Sequence, residues 1–182
     1  LMGNHSGAAH YKYDEEVPQV YEQISDISAL VTTNKVGDFM DNNHITYTSP
    51  TFDFGGASIS FDLGYASDAN DVETGDGGTP GEQGTYGTGQ EAGVTVSYDA
   101  LKFGIYGAER QNKTKTAATA DNVQDEFNGV WYAKYSMGPV SIGYSESYLD
   151  SGVSETSTVA TTTAKGLRTS GGIFEGQQIG IA

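Results

Sequence analysis

The sequence predicts an all-β fold: part of an antiparallel transmembrane β-barrel of about seven strands, with a short helix in the first 40 residues. Three observations predict it. Segments of roughly ten residues alternate apolar and polar side chains, which gives a strand one oily and one wet face. Tight turns and long hydrophilic connections follow one another in strict alternation, as when hairpins all turn tightly on one side of a wall. No apolar run approaches the ~18 residues of a membrane helix, so a membrane would have to be crossed by strands.

The elements follow in order. Val17, Val20, Tyr21, Ile24, Ile27 and Val31 approximate a helical stripe, and Pro18 suits a first helical turn. Residues 43–49 then predict a strand, with Ile45 and Tyr47 on one face and His44, Thr46 and Thr48 on the other. Pro50 to Gly56 reads as a turn, since proline lacks an N–H and glycine relaxes the backbone. The clearest strand is 57–66, where Ala57, Ile59, Phe61, Leu63 and Tyr65 interleave with Ser58, Ser60, Asp62 and Gly64. A Gly-, Asp- and Thr-rich loop occupies 67–90. Strand 91–98 carries Ala92, Val94, Val96 and Tyr98, and after Asp99-Ala100 the next strand carries Leu101, Phe103 and Ile105 opposite Lys102, Gly104 and Tyr106. A polar loop at 111–126 leads to strand 127–136, with Phe127, Trp131, Ala133 and Tyr135 on one face and Asn128, Tyr132 and Lys134 on the other. Met137-Gly138-Pro139 turns the chain into Val140, Ile142 and Tyr144; a Ser/Thr-rich loop spans 149–169, and 171–182 starts another strand.

Composition narrows the function. The 182 residues suffice for one domain, but only 36% are hydrophobic, 25 are glycine and the formal charge is −15. So polar a chain would struggle to bury a core in water, where domains are about 45–50% apolar. A barrel wall needs only alternate apolar residues. Tyrosine leads the aromatics (12 Tyr, 7 Phe, 1 Trp), which suits rings placed between lipid and headgroup. Cysteine is absent, so disulfides and thiolate chemistry are excluded. The acidic balance argues against nucleic acid, whose phosphates need a basic surface. His5, His10 and His44 have no partners at catalytic spacing and no nucleophile or zinc motif is present, so no enzyme is expected. Both ends read as cut, without a signal peptide at the start and inside a strand at the finish.

The stretch Asn43-His44-Ile45-Thr46-Tyr47-Thr48-Ser49-Pro50-Thr51-Phe52, followed by a glycine turn and an alternating strand, resembles a segment of Gram-negative general diffusion porins. Tyr135-Ser136-Met137-Gly138-Pro139-Val140-Ser141-Ile142 is similar to a porin hairpin. The resemblance is spread over most of the chain and is strongest at 43–66 and 127–145. It implies that 1–182 is an incomplete porin domain, with 3–42 the constriction loop and 43–182 middle strands and outer loops of a barrel of about 16 strands. It also implies a bacterial outer-membrane location, a homotrimer of water-filled channels for small polar solutes and ions, and contact with membrane lipid and lipopolysaccharide.

The candidate site follows. The acidic loop residues Asp14, Glu15, Glu16, Glu22, Asp26, Asp38 and Asp41 are expected at the pore constriction, where carboxylates opposite basic wall residues create a field across the channel. Parity assigns His44, Asp62, Lys102, Arg110 and Lys134 to the lumen-facing wall. Glu146 shares the parity of Val140, Ile142 and Tyr144 and so nominally faces lipid, near the end of its strand. Loop 68–76 offers oxygens from Asp68, Asn70, Asp71, Glu73 and Asp76 that suggest Ca²⁺, but it lacks EF-hand spacing and reads better as a solvated loop; no cofactor is expected. The competing readings are a soluble or cell-surface β-sandwich of adhesin type, which also alternates, and a substrate-specific barrel channel.

Overall fold

The structure is a computed structural model and describes residues 2–3, 12–13, 16–18, 44–67, 86–112, 124–150, 152 and 173–182. They form nine strands: β1 Met2–Gly3, β2 His44–Thr48, β3 Phe52–Phe54, β4 Ala57–Ala66, β5 Tyr86–Tyr98, β6 Leu101–Asn112, β7 Glu126–Met137, β8 Val140–Asp150 and β9 Ile173–Ile181. One antiparallel sheet holds them in the order β1-β2-β4-β5-β6-β7-β8-β9, with β3 also against β4. From β4 onward each strand pairs with the next in sequence. The sheet is open, with β1 and β9 at its edges.

Several boundaries depart from the sequence reading. The expected turn at 50–56 contains a strand of its own, β3, because β2 and β3 lie end to end along β4. Pro50 cannot donate to the ladder, and Ser49 bridges the break: its N–H donates to the Phe61 carbonyl at 2.8 Å and its Oγ accepts the Phe61 N–H at 2.9 Å. β5 starts at Tyr86, inside the expected loop, and β6 reaches Asn112. β1 adds a pairing that alternation could not reveal in two residues, Met2 opposite Ile45 and Gly3 opposite His44. No helix occurs among the described residues: Val17 and Pro18, at the start of the expected stripe, are not helical. The rest of that stripe lies outside the described residues.

The tight turns follow residue chemistry. Gly55 and Gly56 both take positive φ (58° and 94°), which suits a two-residue hairpin. Asp99 takes φ 52° between β5 and β6, a conformation aspartate tolerates better than most side chains, and Gly138 takes φ 57° between β7 and β8.

The two faces of the sheet are inverted relative to a protein that hides its oil from water. On one face lie His44, Thr46, Asp62, Glu91, Arg110, Glu126, Asn128 and Ser145, all buried. On the other, Ile45, Tyr47, Leu63, Tyr65, Val94, Tyr98, Leu101, Ile105, Phe127, Tyr135, Ile142 and Ile179 are exposed. Register keeps this polarity across the sheet: Asp62 pairs with Gly93, Gly93 with Tyr106 and Tyr106 with Val130 on the inner face, while Phe61, Val94, Ile105 and Trp131 align on the outer. Every described cation of the sheet (Lys102, Arg110, Lys134) points inward. A small apolar cluster of Ala66, Tyr106, Ala108, Val130, Tyr132 and Tyr13 sits within the inner face.

Candidate functional site

Residues 12–13 and 16–18 lie on the inner face, although they are remote in sequence from the strands they touch. Tyr13 is fully buried. Its ring stacks on Tyr106 at a centroid distance of 5.3 Å and tilts against Tyr132 at 6.4 Å. Its hydroxyl donates to Asp62 Oδ2 at 2.9 Å. Lys12 pairs with the other oxygen of Asp62 and donates to Thr48 Oγ1 at 3.1 Å. Burial pushes the Tyr13 phenol up from its ordinary range, against the opposing Thr95 hydrogen bond and reinforced by the Asp62 carboxylate, so Tyr13 stays a neutral donor at physiological pH.

Glu16 continues the crossing. Its two oxygens accept from two strands: Lys102 on β6 at 2.6 Å and Lys134 on β7 at 2.8 Å. The lysines are cross-strand partners, so their ammonium groups would repel one another without a carboxylate between them. Burial raises the Glu16 carboxyl, but the hydrogen bonds and charges of the two lysines outweigh it and hold the group below its usual range. Lys102 also lies over the Tyr132 ring, 5.5 Å from its centroid.

Space for the crossing comes from missing side chains. A Cβ on Gly93 would stand 2.5 Å from the Tyr13 ring. A Cβ on Gly143 would strike the Pro18 ring, and one on Gly180 would strike the Pro18 carbonyl and Val17. Gly143 and Gly180 face each other across β8 and β9. From Asp62 on β4 to Gly180 on β9, this strap therefore spans six neighbouring strands of the sheet.

The sequence-derived residues fall as follows. His44, Asp62, Lys102, Arg110 and Lys134 all lie on the polar inner face, Asp62, Lys102 and Lys134 under the strap. Arg110 stands apart, buried in a pair with Glu126 at 3.1 Å. Of the acidic loop residues, Glu16 is at the crossing; Asp14, Glu15, Glu22, Asp26, Asp38 and Asp41 lie outside the described residues, as does loop 68–76. Among the described residues, no group of three or more His, Asp or Glu is set to hold a metal ion. The sequence reading missed Glu91, which receives a hydrogen bond from Tyr106 at 2.5 Å and which alternation with Ala92 could have placed on the polar face; nothing local signalled Lys12 or Tyr13. Comparisons with protein-family models, with curated proteins and with solved structures find no match.

Proposed function

We propose, first, that this sheet is part of the wall of a membrane-spanning β-barrel whose apolar outer face meets lipid and whose polar inner face meets water. The inversion of the two faces carries this reading. A sandwich would bury its apolar face against a second sheet; here that face is exposed and the charged one is covered.

A second pattern supports it. The first outward polar side chains along the strands are Gln90 and Glu109, cross-strand partners on β5 and β6, and Glu146 and Gln177, cross-strand partners on β8 and β9. Following the register, the second pair lies four residues nearer the tight turns than the first. Four residues are about 13 Å along a strand and the pairs are about 14 Å apart across the sheet, a slope near the 35–45° tilt of barrel strands. A level membrane border drawn on tilted strands has this oblique form.

The particular proposal is a general diffusion porin of the bacterial outer membrane, a trimeric channel through which small hydrophilic solutes and ions pass passively. The strap is then at the constriction, and the ion-paired groups Lys12–Asp62 and Glu16–Lys102–Lys134 place their charges along one wall of the narrowest water path. Charges in such a low-dielectric neck act over longer range than in open water. In planar bilayers the complete protein should give stepwise conductance, and it should migrate faster on gels unheated than boiled. A water-soluble product without conductance overturns the reading.

A further inference from the structure

One side chain of the strap is held differently from its charged neighbours. Tyr13 is fully buried, whereas the ion-paired groups keep solvent contact: Lys12 is 47% exposed, Lys102 34%, Lys134 29% and Glu16 18%. Register builds the socket for its ring. Asp62, Gly93 and Tyr106 form one cross-strand row on β4, β5 and β6, and the missing side chain in the middle of that row leaves a floor for an aromatic ring. Gly104 shapes the wall beside it in the same way. A Cβ there would overlap the Tyr132 ring, so only glycine lets that ring lie across β6.

The two kinds of contact answer differently to salt. Ion pairs among partly exposed groups weaken as the screening length falls from about 10 Å at 0.1 M to about 3 Å at 1 M. Ring packing carries no net charge and is not screened. The Tyr13 ring stacks on Tyr106 at 5.3 Å and tilts against Tyr132 at 6.4 Å, both within the range of favourable aromatic pairs. Its hydroxyl is the less specific part. Asp62 also accepts from Thr48 at 2.6 Å and from Lys12, so the carboxylate keeps partners without the phenol. Lys12 precedes the ring in the chain and Glu16 follows three residues later, so a fixed ring brings both charges to their partners.

We propose that Tyr13 is the positioning residue that sets the bore of the channel: its ring fixes how far the strap stands off the wall at β5 to β7, while Glu16 and its two lysines set the charge of the path and not its width. The inference rests on the reading of the strap as the constriction. Bore and ion selectivity are then separable properties of one short segment, the first held by a buried ring and the second by groups open to solvent.

The complete protein in planar bilayers gives both readouts. The bore is read from the largest polyethylene glycol that enters the open channel, and the charge from the zero-current potential in a salt gradient. In the unmodified protein the polymer cut-off should be the same at about 0.1 M and about 1 M salt. Tyr13→Ala should raise the cut-off and the conductance without reversing the sign of the potential, and Tyr13→Phe should restore the unmodified cut-off. Glu16→Gln should shift the potential toward anion preference at an unchanged cut-off. A cut-off that widens with salt, one that Glu16→Gln widens as much as Tyr13→Ala, or one that Tyr13→Ala leaves unaltered overturns the proposal while leaving the channel intact. No conductance from the unmodified protein removes the channel reading itself, and the inference with it. The salt series needs no variant to fold.

Discussion

Glu16 sits between two ammonium groups that the β6–β7 register sets side by side, and its removal has a defined sign. Glu16→Gln leaves Lys102 and Lys134 facing each other across β6 and β7. Because all three groups keep some exposure, the loss of stability should be modest, about 1 kcal/mol. The larger effect should be electrostatic: in a salt gradient the zero-current potential should shift toward anion preference, and an unshifted potential would remove Glu16 from the selectivity machinery. The pH dependence follows from the lowered carboxyl. Since the folded-state value lies below the ordinary 4.5, the stabilisation is fully present above 4.5 and is lost as pH falls through the lowered value. The stability difference between the unmodified protein and Glu16→Gln should therefore be constant from neutral pH down to about 5; a steep fall nearer neutrality would contradict the assignment. Arg110 and Glu126 differ from this pair in being buried to within a few per cent. Glu126→Gln should cost about 1.5–3 kcal/mol, read as a fall in thermal stability, because it removes a charge-assisted partner from a buried guanidinium.

At the scale of elements, the strap and the sheet fit by subtraction. Gly180 tolerates no side chain because the Pro18 backbone carbonyl occupies that space, and a backbone atom cannot swing aside as a flexible side-chain end can. Gly180→Ala should lift residues 16–18 off the sheet and enlarge single-channel conductance; an unaltered conductance would mean the strap does not narrow the path. The strands were largely legible because alternation is local: parity alone separates Ile45 from His44, Leu63 from Asp62 and Ile105 from Lys102. β3 was not, since Pro50 reads as a stop until the Ser49 hydroxyl is seen to carry the ladder past it. The first residues of β5 were hidden in Gly- and Thr-rich sequence that resembles loop. The strap could not be read from the strand pattern; only the family resemblance set the acidic loop, Glu16 included, opposite basic wall residues. Tyr13 on Asp62 and Glu16 on Lys134 are contacts 49 and 118 residues apart, and no periodicity encodes them. Glycines at polar-face positions, Gly93 and Gly143 among them, were the one available trace of something lying close above the sheet.

For the whole molecule, the account turns on which solvent meets each face. The proposed reading accounts for a sheet with Arg110, Asp62 and Glu91 covered and Ile105, Leu63 and Ile179 exposed by keeping the exposed side out of water. On the proposed reading the edges at β1 and β9 would pair with further strands, because unpaired strand edges cannot remain in lipid. The sequence rhythm pointed to the same inversion, but it did not show that a segment from the first 20 residues lies across the polar side. The most direct test of the central claim is one substitution at the middle of the exposed face. Ile105 is 51% exposed, so Ile105→Lys should be almost neutral, within about 0.5 kcal/mol, if that face meets water. If it meets lipid, folding free energy measured into bilayers should fall by about 2–4 kcal/mol. The account predicts the second result; the first would contradict it.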